Sequence, residues 1–256
     1  MKFSLAIVFS SSDLEIELMS CLKSCFEKQT RQPNELLLVL NGLESNRASN
    51  LKRELSSYPV RYFESSALRP LSEGLNEAIE NSSFEYVARI DPDDVSHAQR
   101  FKQQLAFLES NKDVDVLGCA AQKGSKVRIY PTSHGEIANA MRLANVIAHP
   151  TVVAKKSVLM NGGGYPNILK SQDYLFWLRL IKAGFKFANL PDVLVELGQD
   201  GLATRRGFKY YKSEVAVLKI AFQERLIPLR FIALNLVLRF VLRSLPLPIR
   251  RVMYGS

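Results

Sequence analysis

Three stretches within the first ninety residues, 3–9, 35–40 and 84–90, are apolar at nearly every position and each is of strand length. A strand with one face in water alternates apolar and polar residues, whereas a run without alternation must be covered on both faces. Between these stretches the apolar residues recur at helical spacing. Leu14, Leu18, Cys21, Leu22 and Cys25 form one such row, and Leu71, Leu75, Ala78 and Ile79 form another. Strand alternating with helix predicts an α/β fold: a mostly parallel central sheet with helices on both faces. A further helix is expected over 45–55, a short strand over 60–63, a helix over 96–108 carrying Phe101, Leu105 and Leu108, and a strand over 114–118.

In sheets of this kind ligands bind beyond the carboxyl ends of the strands. Ser10, Asn41 and the sequence Asp91-Pro92-Asp93-Asp94 all stand at such ends. Three acidic side chains in four positions repel one another, and a hard divalent cation such as Mg²⁺ neutralises such a cluster well. The same four residues also fit a helix start, with Asp91 as N-cap and Pro92 at the first helical position. Further along, Gly162-Gly163-Gly164-Tyr165-Pro166 reads as a loop whose backbone approaches a ligand closely. His149-Pro150-Thr151 precedes it, His149 having the character of a site-lining residue. Ser171-Gln172-Asp173 opens a helix marked by Tyr174, Trp177, Leu178 and Ile181, with Gly184 at its end.

In this order, Asn41-Gly42, the segments 71–79 and 86–94, His149-Pro150-Thr151, Gly163-Gly164-Tyr165 and the segment 172–180 resemble the family-2 inverting glycosyltransferases. The bacterial branch that builds O-antigen, capsule and exopolysaccharide is the most similar. The resemblance covers roughly residues 3–200. It implies the GT-A fold and a sugar donor activated as a nucleotide, most simply a UDP-sugar. It further implies an acceptor saccharide on a lipid diphosphate and a Mg²⁺ or Mn²⁺ ion. By position, Asp91 would hold ribose or metal, Asp93 the metal, and Asp173 would be the catalytic base. Ser10 and Asn41 would contact the nucleoside, and His149, Gly163, Gly164, Gln172 and Trp177 are the acceptor-side candidates. Two positions depart from the pattern: Asn41 stands where many members have aspartate, and Gln172 where glutamate is usual. Arg69, Arg205 and Arg206 are candidate diphosphate clamps, since the planar guanidinium suits phosphate.

Charge separates the chain into two parts, expected to be a catalytic domain over 1–202 and a basic helical region over 203–256. The net charge is +9, and residues 203–256, with eleven Lys/Arg against two Glu, hold all of it. The apolar stretch 226–245 is interrupted by Pro228, Arg230, Asn235, Arg239 and Arg243, so it falls short of the ~20 apolar residues that a spanning helix needs. Arginines interleaved with aliphatics fit a helix lying in a membrane interface, each basic group contributing about 1 kcal/mol at an anionic leaflet. Solvated arginines on a helical pair packed against the catalytic domain are the alternative. An anionic membrane surface is therefore the expected partner and nucleic acid is not: Tyr210 and Tyr211 could stack bases, but the aliphatic character of the rest of the tail favours lipid over base stacking. The expected location is the cytoplasmic face of the inner membrane, as a peripheral protein. Three cysteines, Cys21, Cys25 and Cys119, are too few for a disulfide framework and are expected as free thiols. The opening residues read as a first strand and not as a signal peptide. A sugar-nucleotide pyrophosphorylase is a competing class, but the loop after the first strand, Ser10-Ser11-Ser12-Asp13, lacks the basic residues that chemistry uses.

Overall fold

The computed structural model describes residues 1–168, 170–198 and 208–244. In chain order the elements are β1 (Phe3–Ser10), α1 (Glu15–Cys25), β2 (Glu35–Asn41), α2 (Ser45–Glu54), β3 (Val60–Ser65) and α3 (Leu71–Glu80). Next come β4 (Tyr86–Arg89), β5 (Val95–Ser96), α4 (Arg100–Ser110), β6 (Val116–Lys123), β7 (Lys126–Arg128) and α5 (His134–Ala140). A 3-10 turn at His149–Thr151 leads to β8 (Val153–Lys155), α6 (Lys156–Asn161), α7 (Gln172–Lys182), β9 (Phe187–Glu196), α8 (Phe208–Gln223) and α9 (Leu229–Ser244).

The sheet runs in the order β3-β2-β1-β4-β8-β6-β9-β5, with β7 paired to β6. Its first four strands are parallel, as the apolar runs demand. The remainder is mixed: β8 is antiparallel to both β4 and β6, and β6 is parallel to β9. Period-two geometry divides the strand side chains between two cores. Phe3, Leu5, Ile7 and Phe9 point to one, with apolar residues of α1, α2 and α4. Ala6, Val8 and Val87 point to the other, with residues of α3, α6 and α7. Gly74 lets α3 sit close on this second face, since a Cβ there would meet Val8 and Val39 methyls at 3.2–3.3 Å. Apolar residues of α8 and α9, namely Val217, Leu218, Ala221 and Ile232, join this second core.

Two expectations need correction. The segment after the acidic cluster is not helical until Arg100; residues 95–96 form β5, which pairs with β9. Asp91–Asp94 is therefore a turn, closed by the Asp94 N–H on the Asp91 carbonyl at 3.2 Å, and the helix-cap reading fails. The expected strand 84–90 is also shorter, spanning Tyr86–Arg89. All three cysteines are free and buried. Arg100 is fully buried, and its cost is offset by hydrogen bonds. Its Nη2 donates to the Arg89 carbonyl at 2.7 Å and the Pro150 carbonyl at 3.0 Å, its Nη1 to Ser96 Oγ, and its Nε to Gln104 Oε1.

Candidate active site

The carboxyl ends of β1 and β2 are level, with Ser10 paired to Asn41, while neighbouring β4 ends with Arg89 opposite Ala6 of β1. From the end of β4 the turn carries Asp91, Asp93 and Asp94, whose ligand oxygens all lie within 4.8 Å of one another. Asp94 is buried. One of its oxygens accepts the Gly198 N–H at 2.8 Å, and the other, Oδ2, is buried with no partner among the described residues. Burial, then the Asp91 charge, pushes the Asp94 carboxyl up to about 8, and the same two causes raise Asp93. Gly198 is the residue that lets the chain after β9 close over this turn: a Cβ there would fall 2.0 Å from Asp93 Oδ2. Three hard oxygen donors, one of them a buried orphan, fit a divalent cation such as Mg²⁺ or Mn²⁺.

Arg89, one residue before Ile90 on β4, shares the Val87 side of the sheet and faces the second core. Its Nη2 pairs with Asp91 Oδ1, while Nε and Nη1 are buried without a partner among the described residues. The guanidinium is close enough to His149 to add to the effect of burial, and together they hold that imidazole well below its usual range. His149 is thus neutral, with Nε2 2.9 Å from the Tyr165 hydroxyl. Tyr165 is kept protonated chiefly by its burial, and its hydroxyl lies in the field of both Asp173 and Asp91. That shared field brings the acidic turn and the start of α7 into one neighbourhood.

Asp173 stands in the first turn of α7. Its Oδ2 accepts from Asn145 Nδ2 at 2.7 Å, and Asn145 is itself fixed because its Oδ1 accepts the Ile147 N–H at 3.1 Å. The next residue, Tyr174, donates its hydroxyl to the Met141 carbonyl at 2.7 Å, so the segment 141–147 is clipped to α7 at two points. Ser171, just before the helix, has φ of 59°, a left-handed conformation that costs a non-glycine residue about 1 kcal/mol. Such strain concentrates at functional sites. Gly163 and Gly164 are also left-handed, with φ of 82° and 72°. They turn the chain so that Tyr165 meets Asn76 of α3 through paired bonds, N–H to Oδ1 at 2.8 Å and Nδ2 to carbonyl at 2.9 Å.

Other candidates take different places. Trp177 is fully buried, packed on His149, Tyr165, Phe176 and Phe187 at centroid distances of 5.4–5.9 Å. It backs the His149–Tyr165 wall and presents no face to an acceptor, which corrects its assignment as a contact residue. Asn41 is buried with both amide groups spent on the Arg69 main chain, at 2.9 and 2.8 Å. It braces that loop from a buried position. Arg69 pairs with Glu77 at 2.6 Å through Nη2, and its Nε is buried and unpartnered among the described residues. Ser10 is partly exposed, its hydroxyl bonded to Asp13 at 2.9 Å. Gln172 is half-buried beside Asp173. Arg205 and Arg206 lie outside the described residues. The structure adds Asp94, Arg89, Asn76, Asn145 and Tyr165 to the site. The first two adjoin the acidic pair in sequence, whereas no local pattern marks Asn145 or Asn76 as polar clasps.

The family model described as "Glycosyl transferase family 2" matches residues 15–159. The amylovoran biosynthesis glycosyltransferase AmsE of Erwinia amylovora is 31% identical over 98% of this chain and 97% of its own length. A UDP-Gal:alpha-D-GlcNAc-diphosphoundecaprenol beta-1,3-galactosyltransferase of Escherichia coli is 26% identical over 99% of this chain and 95% of its own length. Among solved structures, the mannosyltransferase PcManGT from Pyrobaculum calidifontis, in complex with GDP-Man and Mn2+, superposes with a TM-score of 0.68. It shares 14% identity over 99% of this chain and 79% of that one. S. aureus TarS superposes at 0.65 with 16% identity, covering 85% of this chain, which spans only 39% of the TarS chain. At these identities the structural matches speak for the GT-A fold alone.

Proposed function

The chain belongs to glycosyl transferase family 2 and is a glycosyltransferase, and from that premise we propose that it is a metal-dependent, inverting one acting in bacterial surface polysaccharide synthesis. The donor is a nucleotide-sugar, in the first instance a UDP-sugar, and the acceptor a saccharide carried on a lipid diphosphate. The observations that carry the proposal are the acidic turn after β4, whose three carboxylates converge within 4.8 Å, and Asp173 on α7, held by Asn145, the charges of Asp91 and Asp173 both reaching the Tyr165 hydroxyl.

Asp91, Asp93 and Asp94 would hold the divalent cation, which neutralises the diphosphate of the departing nucleotide. Asp173 is the general base: its carboxylate takes the proton of the acceptor hydroxyl as that oxygen bonds to the anomeric carbon. The bond from that carbon to the phosphate oxygen breaks, and the electron pair leaves with the nucleoside diphosphate. One displacement inverts the configuration. Asn145 fixes one oxygen of Asp173 throughout, and the neutral His149–Tyr165 pair lines the space between base and donor without adding charge. Ser10 serves the nucleoside end, Arg69 the diphosphate end, and Gln172 a sugar hydroxyl. The UDP preference is supported by the name of the E. coli galactosyltransferase. That galactosyltransferase name also supports the lipid-diphosphate acceptor. In this reading residues 1–202 form the catalytic domain, and the basic region 203–256 works at the cytoplasmic face of the inner membrane.

The test is release of nucleoside diphosphate from a panel of UDP-, GDP- and dTDP-sugars, with and without Mn²⁺ and a lipid-diphosphate saccharide. Release that needs both metal and acceptor is expected. Turnover unaffected by a chelator would overturn the metal assignment.

A further inference from the structure

Helix α9 packs Phe231, Ile232 and Leu236 on the second core and carries a second apolar face on its outward side. Its inward side is polar at the centre: Asn235 is buried, its Nδ2 donating to the Arg142 carbonyl at 2.8 Å and the Phe231 carbonyl at 2.9 Å. One turn on, Arg239 pairs with Glu214 of α8 at 3.0 Å and stands over the Tyr174 ring of α7 at 5.8 Å. Its outward side is apolar: Leu234, Val237, Leu238 and Val241, at offsets of 3, 4 and 7, are 43–60% exposed, and Phe240 and Leu229 flank them at 56% and 64%. A helix that merely covers a core turns a polar face to water. A contiguous apolar row turned to water marks an interaction surface.

Charge decides what covers it. The last fifth of the chain carries the entire +9 excess, and Arg225 and Arg230 stand exposed at the start of the row. Two copies meeting through α9 would bring like charges together, whereas an anionic leaflet attracts them. No helix among the described residues is long and apolar enough to cross a membrane. A helix of this composition lies in the interface plane.

The inward contacts lead to the base. Asn235 holds the carbonyl of Arg142, and Phe231 lies under the Arg142 guanidinium at 5.5 Å. Residue 142 opens the segment whose Asn145 grips Asp173. We propose that α9 lies in the interfacial layer of an anionic bilayer through Leu234, Val237, Leu238 and Val241, while its polar side ties that surface to the acceptor end of the active site. This rests on the reading that the acceptor is lipid-linked. Docking then sets Asp173 at a fixed height above the leaflet, where a lipid-carried saccharide presents its hydroxyl.

The test is flotation of the full chain with vesicles of phosphatidylglycerol and phosphatidylethanolamine, against vesicles of phosphatidylcholine alone. Flotation with the anionic vesicles, weakened by salt, is expected. The double substitution V237E/L238E should reduce it at least tenfold while leaving Tm, donor binding and transfer to a short-chain, water-soluble lipid-diphosphate saccharide unchanged. A double variant that floats as well as the parent overturns the inference. So does a parent that ignores anionic vesicles but forms a dimer that the substitution dissociates. If the parent floats yet transfers nothing to the soluble acceptor, the acceptor reading fails and the α9 surface stands.

Discussion

In the proposed reading, the donor and acceptor ends of the site are built by opposite methods. The donor end is the rim of a parallel sheet: Ser10 and Asn41 close adjacent strands in register, and the acidic turn follows β4, whose ladder on β1 ends with Arg89 opposite Ala6. The acceptor end has no such frame. Segments 141–149, 162–165 and 171–177 meet through side-chain clasps, Asn145 on Asp173, Asn76 on Tyr165 and Tyr174 on Met141. A cation site needs several oxygens at fixed separations, which a sheet edge supplies. Acceptor recognition needs a surface that can change while the base keeps its place, and exchangeable clasps supply that.

Substitutions on the two sides should separate binding from chemistry. The largest effect belongs to Asp173→Asn, which should lower kcat by about 10³, within the range for loss of a general base, with donor affinity kept. Loss of donor binding instead would break the comparison. Next, Asp93→Ala should weaken metal-dependent donor binding by about 10²-fold, read by calorimetry with and without Mn²⁺, in keeping with loss of a metal ligand or its close support. Unchanged affinity in excess Mn²⁺ would remove Asp93 from the metal site. Asn145→Ala should cost about tenfold in kcat and leave the donor Kd alone, because a misplaced base loses rate and not binding. The smallest effect is on stability. Gly163 has open space around its Cα, so Gly163→Ala pays only for its positive φ, about 1 kcal/mol in urea unfolding.

The donor end was legible in the sequence for the same reason that it is rigid. Continuous apolar runs announced β1 and β2, and the carboxylates followed directly on the shorter β4. Of the acceptor end, His149, Gly163, Gly164 and Asp173 stood out but the frame around them did not, and β9 shows why. Its ten residues include Pro191 and Asp192, which argue against a strand. The sheet admits them by a bulge: Cys119 pairs with Leu190 and Ala120 with Val193, leaving both residues outside the ladder. Strands β5 and β8, of two and three residues, are too short to show any period. Helix α5 did carry a local signal, the capping box of Ser133 and Glu136. Polar clasps such as Asn145 leave no periodic trace, so only the fold reveals them.

Arg100 joins what these two methods build. A single guanidinium holds the carbonyl of Arg89, which leads into the acidic turn, and that of Pro150, beside His149. The Arg89 amide in turn bonds the Val152 carbonyl at 2.9 Å. Opening this seam would strand a buried cation, so no cheap local fluctuation exposes its amides. Hydrogen exchange at Arg89 should run at the rate of global unfolding, while the α7–141 contact opens sooner. Breathing should then be confined to the α7 side, where the proposed acceptor enters.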